Sequence, residues 1–181
     1  MDSQFSPRIK DIIGYSREEA IRLGNDYIGQ EHLFLGILRD GEGIATDILE
    51  NLGIDLAEIK QIIEKKIRTD KEINQKLDLL MLKSAEKTLK LIYLEARAFK
   101  STTANSGHLL LAILKDNKNL ITQLLVEYGV NYYIVKSQLK DYREIEAKSD
   151  FPESEDDDSD DAFSKGPSGS KGPKKRYASQ I

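Results

Sequence analysis

The 181-residue chain contains no cysteine, only two histidines and only four prolines. Without cysteine there is no disulfide framework, no thiolate metal site and no cysteine nucleophile, and the chain suits a reducing compartment. No apolar run approaches the ~18 residues needed to cross a bilayer. Met1-Asp2-Ser3-Gln4-Phe5 also lacks the basic-then-apolar pattern of a secretory leader. The expectation is a soluble, cytoplasmic protein with no membrane partner. A Gly-x-x-x-x-Gly-Lys-Ser/Thr loop is missing, so nothing cradles nucleotide phosphates. Neither a Gly-x-Ser-x-Gly elbow nor a His-Glu-x-x-His pair is present, which leaves hydrolase and metalloprotease readings unsupported. We therefore expect no catalytic residue, no metal site and no cofactor in this chain.

Charge of one sign is also scarce where a core would fold. Residues 1–145 carry 22 acidic and 21 basic side chains, a net of −1, and residues 146–181 carry 9 and 6, a net of −3. A near-neutral folded part gives no electrostatic footprint for nucleic acid. The Lys174-Lys175-Arg176 cluster reads as a solubilising patch.

What is present is a helical paragraph written twice at a fixed offset of 76 residues. Laying 19–63 over 95–139 pairs Glu19-Ala20 with Glu95-Ala96 and His32-Leu33 with His108-Leu109. Ile37-Leu38 meet Ile113-Leu114, Asp40 meets Asp116, Leu49 meets Leu125 and Gly53 meets Gly129; about a dozen of the 45 positions are identical. Two copies indicate a pseudo-symmetric domain, because open solenoids need three or more units.

The apolar stripe Ile9, Ile12, Ile13, Ala20, Leu23 marks a first helix with Ser6 as N-cap and Pro7 in its first turn. Gly24-Asn25 stops it. A second helix begins at His32 to Leu38, a third spans Ile44 to Leu52 before Gly53, and Asp55 caps a fourth reaching Ile67. The polar stretch 68–76 connects the copies. Helices from about Leu79 to Lys100, Leu109 to Lys115, Leu120 to Tyr128 and Tyr132 to Ile145 repeat the order. No segment alternates with period two, so the expected fold is all-α: eight helices in two pseudo-twofold-related four-helix repeats, about 4–67 and 79–145, with essentially no sheet. Residues 146–181, acidic from Glu153 to Asp161 and then rich in Gly, Ser, Pro and Lys, read as a disordered linker outside the 1–145 domain.

His32 and His108 hold equivalent places, and a repeated position is better explained by a repeated packing role at a helix start than by a shared metal. Ser106 is a good N-cap where the first copy has Gln30. Tyr27, Tyr128, Tyr132 and Tyr133 read most simply as core or half-exposed packing residues.

The run from Glu19-Ala20 through Leu23-Gly24-Asn25-Asp26-Tyr27-Ile28-Gly29-Gln30-Glu31-His32 to Gly41-Glu42-Gly43-Ile44-Ala45 closely resembles the Clp N-terminal domain of AAA+ protein unfoldases, above all the ClpC type. The resemblance covers about residues 4–142. It implies a non-catalytic domain that docks protein substrates and adaptor proteins for the ATPase modules of a parent unfoldase in protein quality control and proteolysis. A free-standing Clp-N-like regulator or adaptor is the alternative. The ClpC type also recognises phosphoarginine, using the Glu of a T-E-H motif with a Thr at the start of a repeat. Here Glu31 matches that Glu and Ser6 stands for the Thr, whereas Gly107 and Leu82 occupy the second copy's places. The resemblance thus implies one phosphoarginine-like site at Glu31 and Ser6. By its residue type alone, Glu31 equally fits an acid that offsets the positive end of a helix.

Overall fold

Extended backbone at Ser6 (φ −65°, ψ 159°), a seryl oxygen that accepts from the Ile9 N–H, and Pro7 at the first helical position together launch α1 (Pro7–Arg22). The same logic of cap and stripe repeats along the chain. The computed structural model describes residues 4–153, with side chains from Phe5 to Tyr142. Helices α2 (Gln30–Asp40), α3 (Ile44–Asn51) and α4 (Leu56–Ile67) complete the first copy. In the second copy, α5 (Lys83–Ala98), α6 (Ser106–Leu114), α7 (Leu120–Glu127) and α8 (Tyr132–Glu153) follow in the same order. Among the described residues the fold is all-α with eight helices, and no helix is long and apolar enough to cross a membrane. The chain divides into two compact units, residues 1–136 and 137–181, and the packing below concerns the first.

α2 and α6 are the buried centre. Leu33, Phe34, Leu35 and Ile37 on α2, and every residue from Ser106 to Leu114 on α6, are withdrawn from solvent. Each such Leu, Ile or Phe stabilises the fold by about 1.5–3 kcal/mol. α1 packs along α2, and α5 along α6. The first contact is very close: a Cβ on Gly36 would lie 2.6 Å from both the Ile12 carbonyl oxygen and Ser16 Oγ. The matching position on α6 is Ala112, fully buried.

Four two-residue strands qualify the expectation of no sheet. β1 (Gln4–Phe5) pairs in parallel with β4 (Thr103–Ala104), and β2 (Tyr27–Ile28) with β3 (Leu80–Met81). Each pair joins one copy to the other. Two-residue strands carry no readable period, which is why the pattern alone misses them.

Three boundaries depart from the sequence reading. α5 starts at Lys83 rather than near Leu79, because Leu80–Met81 are engaged in β3. α6 starts at Ser106 with Asn105 as its N-cap, so Ser106 is the first helical residue and not the cap. α8 runs on to Glu153, past Ile145: Glu144, Glu146, Ala147 and Lys148 all favour helix, whatever their charge. The rest of the segment read as a disordered linker, residues 154–181, lies outside the described residues.

Candidate functional site

His32 begins as the third residue of α2 and is fully buried. Its Nδ1 accepts the Gly29 N–H at 2.9 Å, so the ring proton sits on Nε2 and is donated to Asn25 Oδ1 at 2.7 Å. Asn25 Nδ2 in turn donates to the Ile67 carbonyl at 2.9 Å. One chain of bonds therefore fixes the α2 start, the turn after α1 and the end of α4. Burial pushes the His32 pKa down to about 4, against a smaller opposing pull from Glu19. His108 repeats the cap: its Nδ1 accepts the Asn105 N–H at 3.0 Å, while Asn105 Oδ1 accepts from Gly107 N and His108 N. Each imidazole is thus committed to the start of its own helix. Among the described residues no group of three or more His, Asp or Glu is placed to hold a metal ion.

The strand pairs create two junctions between copies. At the first, Ser6 N–H donates to the Ala104 carbonyl at 3.0 Å, and the chain runs from Ala104 directly into the α6 start with Ser106 and Gly107. Ser106 Oγ accepts the Ala45 N–H at 3.1 Å, reaching across to the first copy. Arg8 donates to Asp40 Oδ2 and to the Glu42 carbonyl, both at 2.8 Å. Gly43, with φ +127°, lies between the two: a Cβ there would come within 3.1 Å of Arg8 Cδ and 3.2 Å of Ser106 Oγ.

At the second junction Leu82 N–H donates to the Ile28 carbonyl at 2.9 Å. Glu31 Oε1 and Leu82 Cδ1 both crowd the α-carbon of Gly29, at 2.8 and 3.4 Å from where its Cβ would stand. Buried Gln30 donates to Thr88 Oγ1 at 3.0 Å and to Asp116 Oδ2 at 3.2 Å, tying α2 to α5 and to the end of α6.

The strand pairs put Ser6 and Glu31 at different junctions. Arg8, just past Ser6, holds Asp40 at the last residue of α2, whereas Glu31 is in its first turn. Nine residues at 1.5 Å each put Asp40 and Glu31 about 14 Å apart along α2. Glu31 lies near Leu82 at the α5 start, and Ser6 is bonded to Ala104 just before the α6 start. Neither junction holds a carboxylate and a hydroxyl at the two motif positions.

Buried charge is committed to structure as well. Burial tends to raise the Glu19 carboxyl, but hydrogen bonds from Arg22 and Arg39 outweigh it and hold the group below its usual range. Its twin Glu95 accepts the Tyr132 hydroxyl at 2.7 and 2.9 Å, with Lys115 Nζ 4.7 Å above the Tyr132 ring.

Of the four tyrosines singled out in the sequence, Tyr27 stands edge-on to His32 and Tyr132 is held by Glu95. Tyr128 and Tyr133 are at the surface, and so are Val126 and Ile134. The turn from α7 to α8 thus exposes four large apolar or aromatic side chains within nine residues, Tyr133 at 75%. Val126 and Ile134 escaped the sequence reading because an apolar residue on a helix is taken for core; only the fold shows that they point outward.

Residues 4–128 match the family model described as the Clp repeat (R) N-terminal domain. Over 139 residues, 77% of this chain, the sequence is 32% identical to the chaperone protein ClpB of Oceanobacillus iheyensis and 30% identical to the negative regulator of genetic competence ClpC/MecB of Bacillus subtilis. The chain spans 17% of the length of each of these relatives. Its fold is similar to that of a ClpV N-domain solved in complex with a VipB peptide, with a TM-score of 0.61 and 16% identity over 75% of this chain and 84% of that one.

Proposed function

The chain belongs to the Clp repeat N-terminal domain family, and from that premise we propose that it is a non-catalytic docking domain for protein substrates and adaptors of a ClpC-like, ATP-dependent unfoldase. The observation that carries this reading is the α7–α8 corner. Val126, Tyr128, Tyr133 and Ile134 are exposed there, with the Tyr128 hydroxyl donated to Glu58, and large apolar side chains left at a surface favour an interaction site. The histidines support it from the other side, since both are spent on helix starts. The peptide bound by the ClpV N-domain is a precedent for a protein segment as ligand of this fold. In this reading the partners are unfolded or adaptor polypeptides and the ATPase modules of the parent protein, in the cytoplasm, with no role for nucleic acid or membrane. The 1–145 domain is then joined to those modules through residues 146–181, the first of which continue α8 to Glu153.

The test is fluorescence anisotropy of a labelled, permanently unfolded polypeptide titrated with the full chain. Tyr133→Ser with Ile134→Ser should weaken binding about tenfold, since losing ~1.4 kcal/mol of apolar contact costs that factor. Binding that ignores the double substitution would remove the corner from the reading.

Phosphoarginine recognition is the finer part of the proposal, and it rests on Glu31 without Ser6. A carboxylate in the first turn of α2 pairs with the guanidinium nitrogens, and the helix N-terminus accommodates the phosphate. Calorimetry with free phosphoarginine should give one site per chain, abolished by Glu31→Ala and untouched by Ser6→Ala. Loss with Ser6→Ala and not with Glu31→Ala would reverse the assignment.

A further inference from the structure

The outer face of α5 carries a charge pattern that its twin lacks. Lys83, Lys87, Lys90 and Arg97 recur at intervals of four, three and seven residues, so they line one side of the helix with Leu94 among them. All five are exposed, Leu94 at 54%, and Leu80, just before the helix, is exposed at 69%. The repeat-equivalent positions on α1 are Pro7, Asp11, Gly14, Ile21 and Glu18. The basic strip is thus a property of the second copy and not of the fold.

The cations are also uncommitted. In the first copy Arg8, Arg17, Arg22, Arg39 and Arg68 each hold a carboxylate or backbone carbonyl, whereas Lys10, Lys65 and Lys66 have no such partner among the described residues. None of Lys83, Lys87, Lys90 and Arg97 has such a partner among the described residues. Glu86, which flanks the strip, forms no ion pair with any of them. Four unpaired positive charges over ~21 Å of helix stand out against a net charge of −1 for residues 1–145.

We infer that the α5 strip is a docking surface for an acidic polypeptide segment with leucine-like anchors, bound along the helix with its carboxylates on Lys83, Lys87, Lys90 and Arg97, one apolar anchor at its end against Leu80 and the other against Leu94, between Lys90 and Arg97. Charge complementarity selects the occupant. In an extended chain carboxylates two residues apart recur every ~6.6 Å, close to the ~6 Å step between Lys83 and Lys87, while the other two steps are ~4.5 and ~10.5 Å. About seven extended residues cover the strip. The inference deepens the docking reading and rests on it: it names the chemistry of a partner segment, and places it on a face other than the α7–α8 corner. Such contacts set association rate and selectivity more than affinity, and they weaken with salt.

The probe is a labelled ten-residue peptide of Asp, Glu and Ser with a leucine at its first and at its eighth position, alongside its Asn/Gln counterpart. The protein is the full chain, with the seven carboxylates of 153–161 changed to amides so that they do not compete. At low salt the acidic peptide should bind saturably and at least tenfold more tightly than the amide peptide. Lys87→Glu with Lys90→Glu should abolish that preference, and Lys65→Glu with Lys66→Glu, on exposed α4 positions, should leave most of it. Circular dichroism checks that each variant is folded. Equal binding of the two peptides, no saturation, or equal losses from the α4 and α5 reversals would overturn the inference. The unfolded-polypeptide titration reads the α7–α8 corner independently, so either result can fail while the other stands.

Discussion

Acidifying the protein from pH 7 to pH 5 should cost it about 2 kcal/mol through His32 alone. The imidazole is fully buried, accepts a backbone N–H at Nδ1 and donates from Nε2 to Asn25. Protonation would place a second proton on Nδ1, facing the Gly29 N–H, and leave a charge without water. Burial accordingly lowers the folded-state pKa from 6.5 to about 4. The unfolded chain therefore binds more protons than the folded one between these values, and stability falls as pH drops through 6.5 and levels off near 4. At pH 5 the unfolded imidazole is almost fully protonated and the folded one about a tenth protonated, which gives about 2 kcal/mol at 1.36 kcal/mol per pKa unit. Urea denaturation at the two pH values measures it. The Glu19 carboxylate, held below its usual range, adds its own loss only at lower pH. Two-dimensional NMR of the imidazole supplies the direct check. A His32 that titrates near 6.5 in the folded protein, or a midpoint unchanged between pH 7 and 5, would refute the reasoning.

Other substitutions read the fold at single contacts. Gly36→Ala should destabilise by about 1–3 kcal/mol, because its methyl group would press on the Ile12 carbonyl and Ser16 Oγ; the thermal midpoint checks it. Lys100 adopts φ 58°, where its twin Gly24 has φ 79°, so Lys100→Gly should raise stability by about 0.5–1 kcal/mol in denaturant titrations. Tyr132→Phe removes both hydroxyl contacts to the buried Glu95 carboxylate and should cost about 1.5–3 kcal/mol, the range for a hydrogen bond to a charged group. Urea unfolding at neutral pH is again the measurement.

The helices were legible because each carries its own evidence in local order. Ser6-Pro7 and Asp55 announce starts, Gly53 and Gly129 announce stops, and the 76-residue offset lets each copy check the other. Asn105 was the harder case. Two good capping residues stand side by side, and Ser106 reads as the cap until the structure shows its hydroxyl receiving the Ala45 N–H across the junction. The β pairs were not legible at all, because two residues define neither a period nor a partner. The α5 strip was legible in principle: aligning 83–97 with 7–21 exposes four cations that the first copy lacks.

That Glu31 and Ser6 stand at different junctions follows from how the two copies pair. The offset says which residues are equivalent, and it invites the assumption that residues of one copy also work together. The strand pairs cross instead: the α1 start of copy one meets the α6 start of copy two, and the α2 start meets the α5 start. Every junction is therefore built from both copies. The two motif positions changed in copy two, Gly107 and Leu82, consequently fall one on each junction and do not empty a single one. The first junction retains Ser6, whose N–H is bonded to Ala104 three residues before Gly107, and the second retains the Glu31 carboxylate near Leu82. Restoring one partner at a time makes the point testable. Leu82→Thr should strengthen phosphoarginine binding at Glu31, whereas Gly107→Glu should create a separate site with Ser6. Calorimetry distinguishes the two by stoichiometry, and a Gly107→Glu variant that tightened the Glu31 site would contradict the crossed arrangement.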